Sequence, residues 1–223
     1  MLVAPCWVVT AGHAVASQPG PIRSVTVAGR PRDVAEVVPH PQWRPPVFEF
    51  AGDAAPMVAV LRDLTDIALI RLAQPVRGVT PARLNRRADE VGQVVEIIGR
   101  GATGTGLAGE PADAPHRGEL RRATNRISAA EPRWIVYRFD APFSGALPTE
   151  GIQGRGDSGG PLAVRRGRAW LLVGLTSWRD WRGDLSGYRY GVHGQDAYNV
   201  RISHYVRWID QTVANAPPCG RGN

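Results

Sequence analysis

Residues 156–161 are Gly-Asp-Ser-Gly-Gly-Pro, and the apolar run Leu162-Ala163-Val164 follows directly. Glycines on both sides of the serine predict a tight turn, in which the hydroxyl of Ser158 and the neighbouring amides can face a substrate. The apolar run favours a strand after this turn. A serine hydroxyl is a poor nucleophile until a base takes its proton, and that base works best when a buried acid orients it. Ser158 is therefore a candidate nucleophile, and the chain should also supply a histidine and an aspartate.

Both residues are found upstream, each beside a short apolar run. Residues 7–10, Trp-Val-Val-Thr, predict a strand that leads into Ala11-Gly12-His13, so His13 lies where a rigid scaffold can present a catalytic group. Asp66 precedes the run from Ile67 to Leu72, which predicts a strand that enters the core. The sequence therefore offers His13 as the base and Asp66 as the acid.

Three segments in this order resemble the signature segments of the trypsin/chymotrypsin-like serine peptidases, the S1 family. They are Thr10-Ala11-Gly12-His13, Asp66-Ile67-Ala68-Leu69 and residues 156–161. Residues 177–178, Ser-Trp, are similar to a segment that lines the family's substrate cleft, and residues 202–209 are similar to its terminal helix. Any one motif alone is moderate support, but three in the family's order make coincidence improbable.

The resemblance implies a serine endopeptidase that works through an acyl-enzyme and needs no cofactor or metal. It assigns His13 as general base and then acid, Asp66 as its orienting partner, and Ser158 as the nucleophile. The backbone N–H groups of Gly156 and Ser158 would form the oxyanion hole. The partner is then a protein or peptide substrate, and the family is mostly exported, so we expect a secreted monomer.

The resemblance also places four residues at the substrate: Ile152, Ser177, Trp178 and Arg179. Ile152 stands at the floor of the primary pocket, where a trypsin-like enzyme would carry Asp, and Arg179 replaces the Gly that normally follows Ser-Trp. An apolar floor cannot neutralise a buried Arg or Lys, which predicts an apolar or small side chain before the scissile bond. The open alternative is that an acid in the stretch after Trp178 reaches the pocket: Asp180, Asp184 or Asp196.

The fold class predicted is all-β, with two packed antiparallel six-stranded β-barrels of the chymotrypsin type and a short C-terminal helix. Val-rich alternating runs between turns rich in glycine and proline agree with it. The peptidase domain is predicted over residues 1–213 and a tail over 214–223. Within the domain we expect a first barrel over 1–75, a linker over 76–88, a second barrel over 89–202 and a helix over 203–213. A Pro-rich insertion is expected between strands over 39–56.

The N-terminal part departs from the family, because only residues 1–12 precede His13. We therefore expect the chain to be N-terminally incomplete, with strands missing from the first barrel. The N-terminal ammonium that many members pair with the acid before the nucleophile is also lacking, which leaves Asp157 without its expected partner. Residues 1–4 have no basic segment before them and do not resemble a signal peptide.

The chain has two cysteines, Cys6 and Cys219. In an exported protein they could form one disulfide, and in the alternative they are two unrelated thiols, since sequence alone cannot fix their separation. The resemblance favours the bridge, because the family's terminal helix packs near the strand that carries Cys6.

The net charge of +7 raises the question of a nucleic-acid partner. The basic residues are scattered, and Arg165-Arg166-Gly167-Arg168 predicts a hairpin tip, so a solvated surface is the better interpretation and no nucleic acid is expected. All 27 basic residues are arginine, which suggests a bacterial coding sequence rich in G and C. No apolar run is long enough for a membrane span.

The sequence also contains features typical of three other functions. Residues 99–104 fit the dinucleotide pattern G-x-G-x-x-G, but no helical period follows, so a Gly-rich loop is expected. Residues 156–160 fit the nucleophile elbow of an α/β-hydrolase esterase, which needs a helix where Pro161 begins a predicted strand. A catalytically silent peptidase-like binding domain is the third alternative, and the presence of all three triad residues argues against it.

Overall fold

A computed structural model describes residues 1–115 and 118–220, which leaves His116, Arg117 and the end of the predicted tail outside the described residues. Its strands form two sheets. The first contains β1 (Leu2–Ala4), β2 (Trp7–Thr10), β3 (Ser24–Val27), β4 (Arg30–Pro39) and β5 (Ala68–Leu72). The spatial order is β1-β2-β5-β4-β3, with every neighbouring pair antiparallel. This sheet is a half-barrel, since β1 and β3 do not pair with each other in the described ranges.

The second sheet is a closed barrel. It contains β6 (Arg83–Leu84), β7 (Val94–Gly99), β8 (Arg121–Ala130), β9 (Trp134–Arg138), β10 (Pro161–Arg166), β11 (Ala169–Arg179) and β12 (Asp196–Arg201). Six strands form the ring β10-β7-β8-β9-β12-β11, which the β10–β11 hairpin closes, while β6 joins β11 in parallel. The predicted chymotrypsin-like pair of β-barrels is thus confirmed as the architecture.

Local sequence explains the main strands. The residues of β9, Trp134 to Tyr137, are all buried, and they form a continuous apolar run in the wall between the two cores. The β10–β11 hairpin turns at Gly167, whose φ of 62° is the left-handed conformation that glycine adopts without strain. This confirms the hairpin tip predicted for residues 165–168. Because β10 starts at Pro161, the segment after Ser158 is a strand and the helix of an α/β-hydrolase elbow is absent there.

In the described ranges, three helices accompany the strands: α1 (Gly12–Ala16), α2 (Ala55–Asp63) and α3 (Ile202–Asn215). A 3-10 turn covers Leu185–Gly187. The C-terminal helix was expected from the sequence, whereas α2 was not, because a loop was predicted up to Pro56 and helical periodicity only near the C-terminus. Pro56 lies in the first turn of α2, where its missing N–H costs no hydrogen bond. The helix is short, and its buried contact is made by Met57 against Leu185.

The main core joins the two sheets and the C-terminal helix. Val9 and Leu69 from the half-barrel meet Trp134 and Leu175 from the barrel, and Tyr205 of α3 covers the same cluster. Burial of this size is the main source of stability for a chain of this length. The cluster fixes the relative position of the half-barrel and the barrel, and with it the residues that each sheet contributes to the groove between them.

Cys6 and Cys219 are joined by a disulfide, with their Cα atoms 6.4 Å apart. Cys6 lies immediately before β2, and Cys219 follows α3, so the bridge fastens the chain after the last helix to the half-barrel. The Gly220 amide donates to the Ala73 carbonyl over 3.1 Å, which holds the same segment against the end of β5. In the residues that the structure describes, no helix is long and apolar enough to cross a membrane.

Candidate active site

His13 is the second residue of α1, directly after β2. The helix lies close to the half-barrel because its first residue is glycine. A Cβ on Gly12 would lie 3.0 Å from the Trp43 ring and 3.2 Å from the Ile67 amide nitrogen, which is tighter than ordinary packing. The close approach brings His13 beside Asp66, the residue before Ile67.

Asp66 makes two hydrogen bonds to His13. Its Oδ1 accepts from the His13 backbone N–H over 2.7 Å, and its Oδ2 lies 2.7 Å from His13 Nδ1. The Asp66 side chain is fully buried, while the His13 ring is 30% exposed. This arrangement orients the imidazole, with Nδ1 engaged and Nε2 left for a reacting group.

The two side chains shift each other's pKa. Burial alone would lower the pKa of His13, but the hydrogen bond and negative charge of Asp66 outweigh it and raise that pKa above its ordinary value. Burial alone would raise the pKa of Asp66, but the hydrogen bond and charge of His13, together with a hydroxyl from Ser177, bring it below the ordinary value. Asp66 is therefore held as a carboxylate beside a histidine of increased basicity.

Ser158 is exposed in a turn at the end of the β9–β10 connection, three residues before β10 begins. The turn lies against the end of β2: a Cβ on Gly159, whose φ is +73°, would be 2.0 Å from Thr10 Oγ1 and 2.8 Å from the Ala11 amide nitrogen. Only glycine fits this contact between the two sheets. The Gly159 amide also donates to the Thr176 carbonyl over 2.8 Å. The serine turn is thus fixed against the segment that leads into His13.

No hydrogen bond joins Ser158 Oγ to His13 in the described part of the chain, where the ring's contact is with Asp66. Such contacts are often long in ligand-free enzymes and tighten with substrate. The Gly159 contact places the serine turn against the segment that leads into His13, without a direct bond between the two side chains.

The amides of Gly156 and Ser158 are oriented by carbonyls on the other side of each peptide. The Arg155 carbonyl accepts from the Ala102 amide over 2.8 Å, and the Asp157 carbonyl accepts from Gly160 over 2.8 Å. In a trans peptide the C=O and N–H point in opposite directions. These bonds therefore direct the amides of Gly156 and Ser158 away from the protein body. Within the described ranges neither amide donates to another group, and both residues are exposed. Two free, oriented donors therefore flank the Ser158 side chain.

A cavity of about 300 Å³ opens beside Ser158. Ser177, Trp178 and Arg179 line it, as the sequence predicted for residues near the substrate. Further lining residues come from the segments before and within α2 and from the loop before β12: Phe48, Phe50, Met57, Leu61, Tyr188 and Tyr190. The segment from Gln153 to Gly156 and Thr176 of β11 complete the lining. The wall therefore combines aromatic side chains with the backbone before Ser158 and one buried guanidinium.

The structure does not bring Ile152 to this cavity. Ile152 packs beside the core of the barrel and faces a separate cavity of about 230 Å³, which Gly101 and Asp157 also line. Gln153, its neighbour, faces the Ser158 cavity, and its side chain bonds to the Trp178 carbonyl over 3.2 Å. The alternation of side chains along this extended segment separates the two residues.

The acids considered for the pocket are engaged elsewhere. Asp180 Oδ1 accepts from the Asp196 amide over 3.0 Å, and the Asp196 carboxylate faces Arg138 over 3.4 Å. Asp184 accepts from the Ser186 amide over 2.8 Å at the start of the 3-10 turn. None of these three side chains lines the Ser158 cavity.

Asp157 has partners that the sequence did not reveal. Its Oδ1 accepts from the Gly101 amide over 2.6 Å, and its Oδ2 accepts from Gly154 over 2.8 Å. A Cβ on Gly99 would lie 1.9 Å from Asp157 Oδ1, so the Gly-rich segment after β7 is a close-fitting cradle for this carboxylate. Residues 100–104 form no helix, which rules out the dinucleotide interpretation of residues 99–104.

This geometry can be compared with known proteins. The family model described as Trypsin matches residues 1–209. The chain belongs to the trypsin family. Among curated proteins, coagulation factor XII of Sus scrofa is 25% identical over an alignment of 236 positions, which covers 94% of this chain and 35% of that protein. The chain thus spans about a third of the length of this relative. The resemblance stated from sequence is confirmed at the level of the family, while the animal relative gives no support to the expectation of a bacterial source.

Sequence analysis of this trypsin-family chain missed one contact and one residue of the site. Ser177 was assigned to the substrate, but its hydroxyl donates to Asp66 Oδ2 over 2.5 Å. Glu110, in the long connection between β7 and β8, was not singled out, yet its buried carboxylate contacts both Arg155 and Arg179. An isolated glutamate in a Gly- and Pro-rich loop carries no signal of burial, so only the fold could reveal it.

No group of three or more His, Cys, Asp or Glu side chains in the described ranges is arranged to hold a metal ion.

Proposed function

We propose that this chain is a serine endopeptidase in which Ser158, His13 and Asp66 form the catalytic triad. The observation that carries the proposal is the His13–Asp66 contact, in which a buried carboxylate holds Nδ1 over 2.7 Å and leaves Nε2 to accept a proton. Membership of the trypsin family supports the same roles. A silent binding domain would have no need of an imidazole made more basic by a buried acid.

In the first half of the reaction, Ser158 Oγ attacks the carbonyl carbon of the scissile bond while its proton moves to His13 Nε2. The charge that develops on the carbonyl oxygen is met by the amides of Gly156 and Ser158. Cleavage of the C–N bond then transfers the proton from His13 to the leaving amine, which leaves an acyl ester on Ser158.

In the second half, a water molecule gives a proton to His13 and attacks the acyl ester. Collapse of the second tetrahedral intermediate returns that proton to Ser158 and releases the acid product. Asp66 stays ionised throughout and stabilises the imidazolium that forms in each half. The low pKa of Asp66 supports this role.

The substrate is a protein or peptide, and the setting is extracellular. The disulfide between Cys6 and Cys219 supports an oxidising compartment, since such bonds are rare where thiols are kept reduced. The resemblance to coagulation factor XII supports the same location.

An organophosphorus probe tests the proposal. We expect covalent labelling at Ser158, found by peptide mapping, and loss of labelling in Ser158→Ala. His13→Ala and Asp66→Asn should lower peptide turnover by about 10⁴-fold each, with the double variant far from additive. Ser186→Ala, which changes an exposed serine in the 3-10 turn, serves as the matched control. Binding of peptides with no labelling and no turnover would favour the silent binding domain instead.

A further inference from the structure

Glu110 lies in the connection between β7 and β8, and its side chain is 3% exposed. The loop around it is fixed, because the Glu110 amide donates to the Tyr190 carbonyl over 2.7 Å. A carboxylate buried to this extent needs hydrogen-bond donors, since an unpaired buried charge is strongly unfavourable. Its donors come from the segment that precedes Ser158 and from the wall of the cavity.

One donor residue is Arg155, which contacts Glu110 with both its backbone and its side chain. The Arg155 amide lies 3.2 Å from each Glu110 oxygen, and Arg155 Nε lies 3.0 Å from Oε2. The guanidinium also donates to the Pro111 carbonyl over 2.6 Å. A residue held at its amide and along its side chain has little freedom to rotate about its own φ.

The peptide after Arg155 carries the Gly156 amide. The carbonyl of this peptide belongs to Arg155 and accepts from the Ala102 amide, as described above. The orientation of the whole peptide depends on the φ and ψ of Arg155. Gly156 has a φ of 95°, a conformation accessible to glycine, so this residue itself gives little resistance to a rotation of the peptide. The resistance must come from the Ala102 bond and from Arg155, whose amide and Nε are held by Glu110.

The second donor residue is Arg179, whose Nη1 lies 2.9 Å from Glu110 Oε1 and 2.6 Å from the Gln153 carbonyl. The Arg179 side chain is 6% exposed, and its guanidinium carbon lies 4.8 Å from the centre of the Tyr190 ring. Glu110 thus also fixes the charged wall of the Ser158 cavity.

We propose that Glu110 is a positioning residue for catalysis, which holds the Gly156 amide in place through Arg155 and the cavity wall through Arg179. The inference rests on the proposed function, because it assigns a role in the same reaction. Glu110 touches no substrate atom. Its effect is expected on the transition state, where the Gly156 amide acts, more than on the binding of a small substrate.

The test compares Glu110→Ala and Glu110→Gln with wild type on p-nitrophenyl acetate, a substrate with no side chain to fill the cavity. Rates are divided by the concentration of sites titrated with an organophosphorus probe, so that misfolded protein does not count. We expect kcat of Glu110→Ala to fall by about 10- to 100-fold with KM changed little, since a small displacement of a catalytic group has effects of this size. Glu110→Gln, which keeps one oxygen to accept from Arg155, should lose less.

The matched control is Glu119→Gln, which removes the same charge from the same connection at an 86% exposed side chain and should leave kcat unchanged. The acid limb of the pH profile should also stay in place in the Glu110 variants, because the His13–Asp66 contact is untouched. A wild-type kcat per titrated site in Glu110→Ala would overturn the positioning role alone. A wild-type protein that is neither labelled nor active would overturn the proposed function with it.

Discussion

Ser177 donates its hydroxyl to Asp66 Oδ2 over 2.5 Å, the same oxygen that faces His13 Nδ1. Ser177 belongs to β11 of the barrel, while Asp66 precedes β5 of the half-barrel. The contact therefore crosses the groove and links the two sheets at the carboxylate that orients the histidine.

Replacement of Ser177 by alanine should weaken this link. The buried Asp66 carboxylate would lose a donor, which raises its pKa toward the ordinary value and costs about 1.5–3 kcal/mol of folding free energy. With a less firmly held Asp66, kcat/KM should fall by about tenfold. Steady-state kinetics and the midpoint of urea unfolding measure the two effects.

Ser203→Ala is the matched control for this variant. The Ser203 hydroxyl donates over 2.5 Å to Glu90, another fully buried carboxylate, at the start of α3 and far along the chain from the groove. We expect a similar loss of stability and no loss of kcat/KM. An equal fall of kcat/KM in both variants would mean that Ser177 acts only through stability.

The raised pKa of His13 predicts the acid limb of the pH profile. Protonated His13 cannot accept the Ser158 proton, so kcat/KM should rise as pH increases through a midpoint above the ordinary imidazole value of 6.5. Asp66→Asn removes the charge that raises this pKa and should move the residual limb to lower pH. An acid limb at or below 6.5 in the wild type would contradict the raised pKa of His13, and an unchanged limb in Asp66→Asn would contradict Asp66 as its cause.

The His13–Asp66 pair gives stability the opposite pH dependence to kcat/KM: stability decreases as pH increases. The folded state raises the pKa of His13, so protonation favours folding, and this stabilisation is fully present below the unfolded pKa of about 6.5 and is lost as pH rises through the folded value. Comparison of wild type with His13→Asn by urea unfolding should show a difference that shrinks as pH increases. A difference that grows with pH would reverse the sign of the coupling between His13 and Asp66.

The disulfide offers a prediction about stability. Cys6 and Cys219 are separated by 213 positions, so the bridge restricts nearly the whole unfolded chain and contributes about 5 kcal/mol as an upper value. The Cys6→Ala/Cys219→Ala double variant should therefore have a lower Tm than the oxidised wild type and should match the reduced protein. Two free thiols, titrated in protein from an oxidising compartment, would contradict the pairing.

The sequence predicted the fold where local patterns and tertiary contacts agree. β2 was predicted at its observed bounds, Trp7–Thr10, and β10 at its observed start, since alternation and turn residues are local signals. Helix α2 was missed because nine residues with one strongly buried contact carry a weak helical period, and because prolines dominate the segment before it.

The sequence pointed to the proposed reacting groups of the candidate site but not to their supports. His13, Asp66 and Ser158 lie in motifs whose residue types follow from the chemistry, whereas the donors to Asp157 are backbone amides, which any residue can supply. Glu110 belongs to the same class of supports. Its role depends on a long connection that folds back onto the segment before Ser158, which no local pattern encodes.

The last prediction concerns the substrate side chain before the scissile bond. Arg179 occupies the wall of the Ser158 cavity and is held there by Glu110 and the Gln153 carbonyl. Since its guanidinium is already satisfied and lies on the Tyr190 ring, it fills space that a bulky substrate side chain would need. We therefore expect the wild type to prefer a small or slender apolar side chain at this position, and Arg179→Gly to extend that preference to Leu and Phe by about 10-fold or more in kcat/KM, the scale of one or two buried methylenes.

A positional peptide library measures this preference in wild type, Arg179→Gly and Arg182→Gly. Arg182 is an exposed arginine three positions further along the chain, so its variant removes the same charge without opening the cavity and should keep the wild-type profile. Ile152→Asp belongs in the same series: because Ile152 faces the cavity beside Asp157, this change should not create a preference for Arg or Lys. Strong selection for Arg or Lys in Ile152→Asp would instead show that substrate reaches Ile152, and would place the floor of the pocket where the family resemblance first put it.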